Sequence, residues 1–143
     1  MSGRLAPRST KENIVTTSSL TTAQIVTMST TAIAAWSSTE FQSLVATQLA
    51  ALSATQVGAL SSIDVSTLTA ATVPGLSTAG VAGLNAANII GLTTTAAAGL
   101  TSTLAAALST GGVAALGSAQ LVGIGATNFA GFSSAEIAAF PLR

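Results

Sequence analysis

Between Asn13 and Leu142 the sequence carries only three charged side chains, Glu40, Asp64 and Glu136. Any proton transfer in that stretch would have to run through them, because a general base near neutral pH needs a positioned group that can take up a proton. There is no His, no Cys and no Tyr, and the single lysine, Lys11, lies in the N-terminal segment. The three carboxylates are spread along the chain, and no D-x-D cluster offers the closely spaced oxygens that calcium needs. No G-x-G-x-x-G or G-x-x-x-x-G-K run is present to cradle a phosphate. The sequence therefore assigns no catalytic residue, no cofactor and no metal ligand, and it points to a protein that is not an enzyme.

The chain has 143 residues, about half of them apolar, with four basic and four acidic groups and a formal net charge of zero. Arg4, Arg8, Lys11 and Glu12 all fall in the first twelve residues, and no cation lies between Asn13 and Leu142. Phosphate binding needs clustered cations that release counterions, so nucleic acid is not an expected partner. A net charge near zero removes the repulsion that keeps copies apart, which favours association. Absence of cysteine rules out disulfides and thiol chemistry. Met1 to Thr17 lacks the apolar stretch of a signal peptide. The most apolar window, Val113 to Phe132, is interrupted by Ser118, Gln120, Thr127 and Asn128. A spanning helix needs about 20 largely apolar residues, so no membrane span is expected.

What positions these side chains is a tandem repeat. From Thr21 to Phe140 the sequence divides into fifteen octapeptides without insertion or deletion, from TTAQIVTM through SATQVGAL to SSAEIAAF. We number them units 1 to 15 and their residues positions 1 to 8. Asn13–Leu20 is a candidate degenerate earlier unit. Position 8 is always large and apolar, from Met28 and Trp36 to Phe140. Position 5 is Val, Ile, Leu or Phe except at Ala97 and Ala105, and position 7 is always Gly, Ala, Ser or Thr. Position 1 is mostly Ser or Thr. Position 4 is often a carboxylate or amide, and all three carboxylates of the array sit there.

The spacing selects a backbone. In a continuous α-helix eight residues advance about 800°, so the apolar stripe would drift about 80° per unit and circle the helix. In one long strand, positions 5 and 8 would point to opposite faces. In a short helix they lie three apart and share a face. Ser or Thr at position 1 with Glu or Gln at position 4 is the capping box, complete at Ser37/Glu40, Ser53/Gln56 and Ser133/Glu136. Leu52 and Val57 form the accompanying hydrophobic staple. Gly75, Gly83, Gly91 and Gly99 are read as loosening each helix near its end. Pro74 removes a donor at the fifth helical position and limits its helix to little more than a turn. Helices this short do not form alone, so units must stack on a shared core of positions 5 and 8. The expected fold is an all-α solenoid of short capped helices, one per octapeptide, with a β-solenoid as the alternative. Residues 1–20 are expected to form a flexible tail, 21–140 the solenoid and 141–143 a C-terminal tail.

Three stretches, Leu20–Ile25 (LTTAQI), Leu44–Leu60 (LVATQLAALSATQVGAL) and Phe132–Phe140 (FSSAEIAAF), carry a resemblance. They resemble the octapeptide-repeat regions of large bacterial surface or secreted adhesin-like proteins. That resemblance implies a spacer, stalk or assembly role, placed outside the cell or at its surface, with no catalytic residues to carry over. The middle, Thr69 to Leu116, departs from it toward Gly and Ala.

The leading expectation is a structural protein that associates with itself into filaments or serves as a surface adhesin segment. The alternative is a binding module that offers a Ser/Thr-rich face to carbohydrate, mineral or ice. Neither end carries the polar capping repeat that keeps solenoids monomeric. The assembly interface is expected at Ile25 and Met28 near one end and at Phe132, Ile137 and Phe140 at the other.

Overall fold

The computed structural model describes residues 17–141. Among them are twelve α-helices and three short 3-10 segments, with no strand, so the chain is an all-α array of short helices. Most helices span four to six residues, from Thr22–Thr27 at the start to Ser134–Ala139 at the end. The local reason is the cap at each end. Position 1 is extended, as at Ser53 (φ −78°, ψ 165°), and its hydroxyl accepts from the position-4 backbone N–H. Both halves of the box form at Thr21/Gln24, Ser37/Glu40, Ser53/Gln56, Ser61/Asp64 and Ser133/Glu136. Val45 and Gly117 have no hydroxyl to offer. There the box is half made, with Gln48 Oε1 and Gln120 Oε1 each accepting the position-1 N–H at 2.8 Å.

The chain turns at positions 8 and 1, where consecutive extended residues stop one helix and open the next. Pro74 sits in a short unit: Val73–Gly75 is a 3-10 turn with proline in its first positions, where the missing N–H costs nothing, and Ile89–Gly91 makes the same turn without a proline. Gly125 is the one described residue with positive φ (72°, ψ 159°), and here two helices run together across a kink. That conformation is open essentially to glycine alone.

Helices pack on helices three units away: unit 1 on unit 4, unit 2 on unit 5, and so on to unit 12 on unit 15. One turn of the solenoid is therefore three octapeptides, and units 1 to 15 make five turns. Position 5 is buried in every unit from Ile25 to Val113, and position 8 is buried from Leu44 to Phe132. These two columns form one continuous apolar core, with Met28, Trp36 and Phe140 packed against its ends.

The turns approach through position 7, which lies on position 2 of the unit three earlier. A Cβ added to Gly83 would stand 2.1 Å from Ala54 O, on Gly91 1.8 Å from Ser62 O, and on Gly131 2.0 Å from Ser102 O. None of these glycines has a positive φ. Their role is close backbone approach between turns, rather than the loosening of a helix end that the sequence suggested. Thr17–Ser19 forms a 3-10 turn beneath unit 3, and Thr17 is buried. Packing thus begins four residues ahead of Thr21. Residues 1–16, most of the expected tail, lie outside the described residues, as do 142 and 143.

Candidate assembly surfaces

Where position 4 carries Gln48, Gln56, Asn88 or Gln120, it links its turn to the one before. Gln56 Oε1 accepts from Ser53 N at 2.9 Å, while its Nε2 donates to Ile25 O at 2.7 Å and Met28 O at 2.9 Å. Gln48 does the same one unit earlier, with Val45 N on one side and Thr17 O (2.9 Å) and Leu20 O (2.7 Å) on the other. Asn88 bridges Asn85 N and Val57 O, both at 2.9 Å. An amide can serve both partners because it carries an acceptor and a donor. A carboxylate can cap its own helix but has no proton for the carbonyls beneath. Asp64 and Glu136 therefore hold only Ser61 and Ser133, although both are buried. Glu40 stands exposed in the first turn. There Ser37 donates to it through backbone N–H and hydroxyl, both at 2.7 Å, and these bonds hold its carboxyl below the usual carboxylate range. All three carboxylates are thus accounted for as caps.

The two ends of the stack differ in a systematic way. Position 4 is exposed at Gln24 and Glu40 in the first turn but buried at Gln48, Gln56 and Asp64 in the second, once a turn lies beneath it. Position 5 behaves in the opposite sense. It is buried through unit 12, then half-buried at Leu121 and Phe129 and 49 % exposed at Ile137 in the last turn. Contacts explain this: the turn above covers each position 5. The Cβ sites of Gly80 and Gly112, at position 4, lie 3.6 Å from Val57 Cγ2 and 3.5 Å from Ile89 Cδ1. The start of the stack therefore presents unused position-4 groups, and its end presents an uncovered apolar column.

This redistributes the five residues expected at the interface. Ile25 is fully buried, because the second turn covers it, and Phe132 is 6 % exposed. Met28 and Phe140 are half-buried. Ile137 alone of the five is substantially exposed. Sequence reasoning missed Gln24, Leu121 and Phe129. Their columns were recognised, but which column opens at which end depends on the direction of stacking. Phe129, Phe132 and Phe140 form a cluster with centroids 5.1–5.2 Å apart, one pair stacked and two edge-to-face, that closes the core at the last turn.

Two hollows interrupt the packing. The first, about 350 Å³, is lined by Phe41, Leu44, Leu49, Leu68, Thr69 and Thr72 among others. Thr72 occupies position 4 of unit 7, and its hydroxyl accepts from Thr69 N at 2.8 Å. In the register of Gln56, a glutamine there would reach Phe41 O and Leu44 O. The hollow is the space that its side chain would fill. Thr72→Gln should therefore raise stability by about 0.5–1.5 kcal/mol, the net worth of one hydrogen bond, readable by chemical denaturation. A loss of stability would show that position 4 does not join the turns. The second hollow, about 750 Å³, lies at the C-terminal end and includes Ala115, Leu116, Gly117, Ser118, Leu121 and Pro141 in its walls.

The sides of the solenoid are built mostly of small, uncharged residues. Positions 2, 3 and 6 supply most of the exposed residues, and Glu40 is the single exposed charge among those described. On one side, position 3 reads Thr31, Thr55, Ala79, Thr103 and Thr127 in successive turns, all exposed. The large exposed apolar residues Val26, Val45, Ile63, Ile90 and Val122 fall in different units. No described helix is long and apolar enough to cross a membrane. The described residues hold no group of three or more potential metal ligands. No protein-family model, curated protein or solved structure matches the chain.

Proposed function

We propose that this chain is a non-enzymatic structural repeat protein that associates end to end into filaments or forms a stalk segment outside the cell or at its surface. The observation that carries the reading is the partial exposure of Leu121 and Phe129 and the exposure of Ile137, in a column that is buried in every earlier unit. Covering them with another turn would complete a packing that the chain already makes at each preceding level. Identical copies meeting head to tail form a heterologous contact, which propagates into fibres unless rotation closes a ring. With Glu40 the single exposed charge among the described residues, little repulsion opposes it. Extracellular placement follows the resemblance to adhesin-like repeat tracts.

The test is sedimentation velocity over a concentration series, with negative-stain microscopy at the upper end. Expected are species that grow with concentration and fibres one solenoid wide. A monomer at every concentration would overturn the reading. The near-continuous threonine column Thr31, Thr55, Thr103, Thr127 favours one second reading, a side face that binds carbohydrate, mineral or ice. Thermal hysteresis or glycan binding by a monodisperse monomer is the outcome that would put it first.

A further inference from the structure

We infer that the groove walled by Ala115, Leu116, Gly117, Ser118, Leu121 and Pro141 is the seat of the first described turn, Thr17–Ser19, of a second copy. Units 1 and 2 of that copy would then lie on units 14 and 15. The inference rests on the assembly reading above and fixes its register.

Three observations carry it. First, the groove lies over unit 13, where the stacking rule of the fold places a sixteenth unit, and Pro141 stands at that unit's position 1. Second, the faces match. The last turn offers Ile137 exposed and Leu121 and Phe129 half-covered, and the first turn offers Gln24 with a free donor among the described residues. Gln24 Oε1 already accepts from Thr21 N at 2.8 Å, as Gln48 Oε1 and Gln56 Oε1 accept from Val45 N and Ser53 N. Its Nε2 is thus aimed as theirs are, at the carbonyls of a turn beneath, which in this register are Leu121 O and Ile124 O. Third, the register is dictated. Thr17–Ser19 occupies the place of a unit beneath unit 3, so it must take the seat over unit 13 and cannot share the one filled by Ser133–Phe140.

The small contacts fit as well. Thr27 of the second copy falls over Ala126 and Ala35 over Ser134. Within the chain, unit 6 packs on unit 3 and unit 5 on unit 2, which sets Thr67 over Ser38 and Ala59 over Thr30. Glu40 of the second copy would lie over unit 15, and Glu136 is the precedent for a carboxylate buried between turns.

Ala126 is exposed at position 2 with no described turn above it. Ala126→Arg therefore blocks the place of the second copy's Thr27, beside the seat, without touching the monomer's packing. Gln24→Glu removes the donor at the opposite end and turns a carboxylate toward the carbonyls. Each variant should weaken association at least about tenfold by sedimentation velocity, the effect of roughly 1.4 kcal/mol. Ala119→Arg adds the same charge on an exposed position 3 of the side face and should associate like wild type. Because the contact has two different faces, mixing the Ala126→Arg and Gln24→Glu variants should restore one-to-one dimers that stop there. Wild-type association that resists both end variants but yields to Ala119→Arg would overturn the seat while leaving assembly intact. A wild type that stays monomeric would overturn both. A wild type that assembles only after residues 1–12 are deleted would mean that the chain's own N-terminal segment occupies the lower face, and this too would overturn the inference.

Discussion

Gly91→Ala should destabilise the protein by about 1–3 kcal/mol, the cost of forcing one extra carbon into a closed contact. The new Cβ would stand 1.8 Å from Ser62 O, 2.7 Å from Ser62 C and 2.9 Å from Ser62 Cα. All three are backbone atoms of the helix Ser62–Ser66, so no rotamer change relieves the clash. Units 6 and 9 must part, and the core between Val65 and Ile89 opens with them. Gly111→Ala is the matched control with the opposite sign. Gly111 lies inside the helix Thr110–Ala114, and its Cβ site meets nothing within 4 Å. Alanine there should stabilise by about 0.4–1 kcal/mol by restricting the unfolded chain. Urea denaturation of the two variants decides the matter. Equal shifts in the same direction would mean that the turns are not in contact through position 7.

Those two glycines also mark what the sequence could and could not convey. Octapeptide spacing set the unit, and the Ser/Thr–Glu/Gln pairs announced the helix start, because a capping box is a local device of four consecutive residues. The apolar columns at positions 5 and 8 likewise follow from helical geometry alone. The number of units per turn does not. It depends on the backbone angles at positions 8 and 1, where leucine followed by serine or threonine adopts the corner without any residue being diagnostic of it. The 24-residue interval that units three apart span does recur, at Thr31, Thr55, Thr103 and Thr127, but it is a multiple of the octapeptide period and is masked by it. With that interval masked, Gly91 could not be paired with Ser62, and it was read as a helix end. A usable signal was present at position 4, where Gln24, Gln48, Gln56 and Gln120 outnumber the two glutamates. A cap alone accepts either side chain, so a preference for the amide implied a second partner that needed a donor. The burial of Ile25 was hidden for the same reason. Ile25 opens the array in sequence, but the direction of stacking places the next turn over it.

Leu100→Asp should be the most damaging single change. Leu100 is fully buried at position 8 of unit 10, between Leu92 and Leu108 in the column. Truncating a buried leucine costs about 2–5 kcal/mol from lost transfer energy and the cavity left behind. An aspartate adds the desolvation of a carboxylate, several kcal/mol more unless it finds a partner. No partner exists among the described residues, since they include neither lysine nor arginine. The sum passes roughly 5 kcal/mol, the lower end of a domain's whole stability. Thr94→Asp, six residues earlier in the same unit, bears the same charge on the exposed first turn of the helix Thr94–Ala97. There the helix dipole favours an anion by about 0.3–1 kcal/mol, and the variant should melt within a few degrees of wild type. In a stack where each unit holds only its neighbours, the Leu100 defect acts first on the contacts of unit 10 with units 7 and 13. Far-UV circular dichroism of the Leu100→Asp variant should accordingly show a large loss of helix at ambient temperature. Retention of the full helical signal, or equal damage from Thr94→Asp, would contradict the assignment of position 8 to a core shared by all five turns.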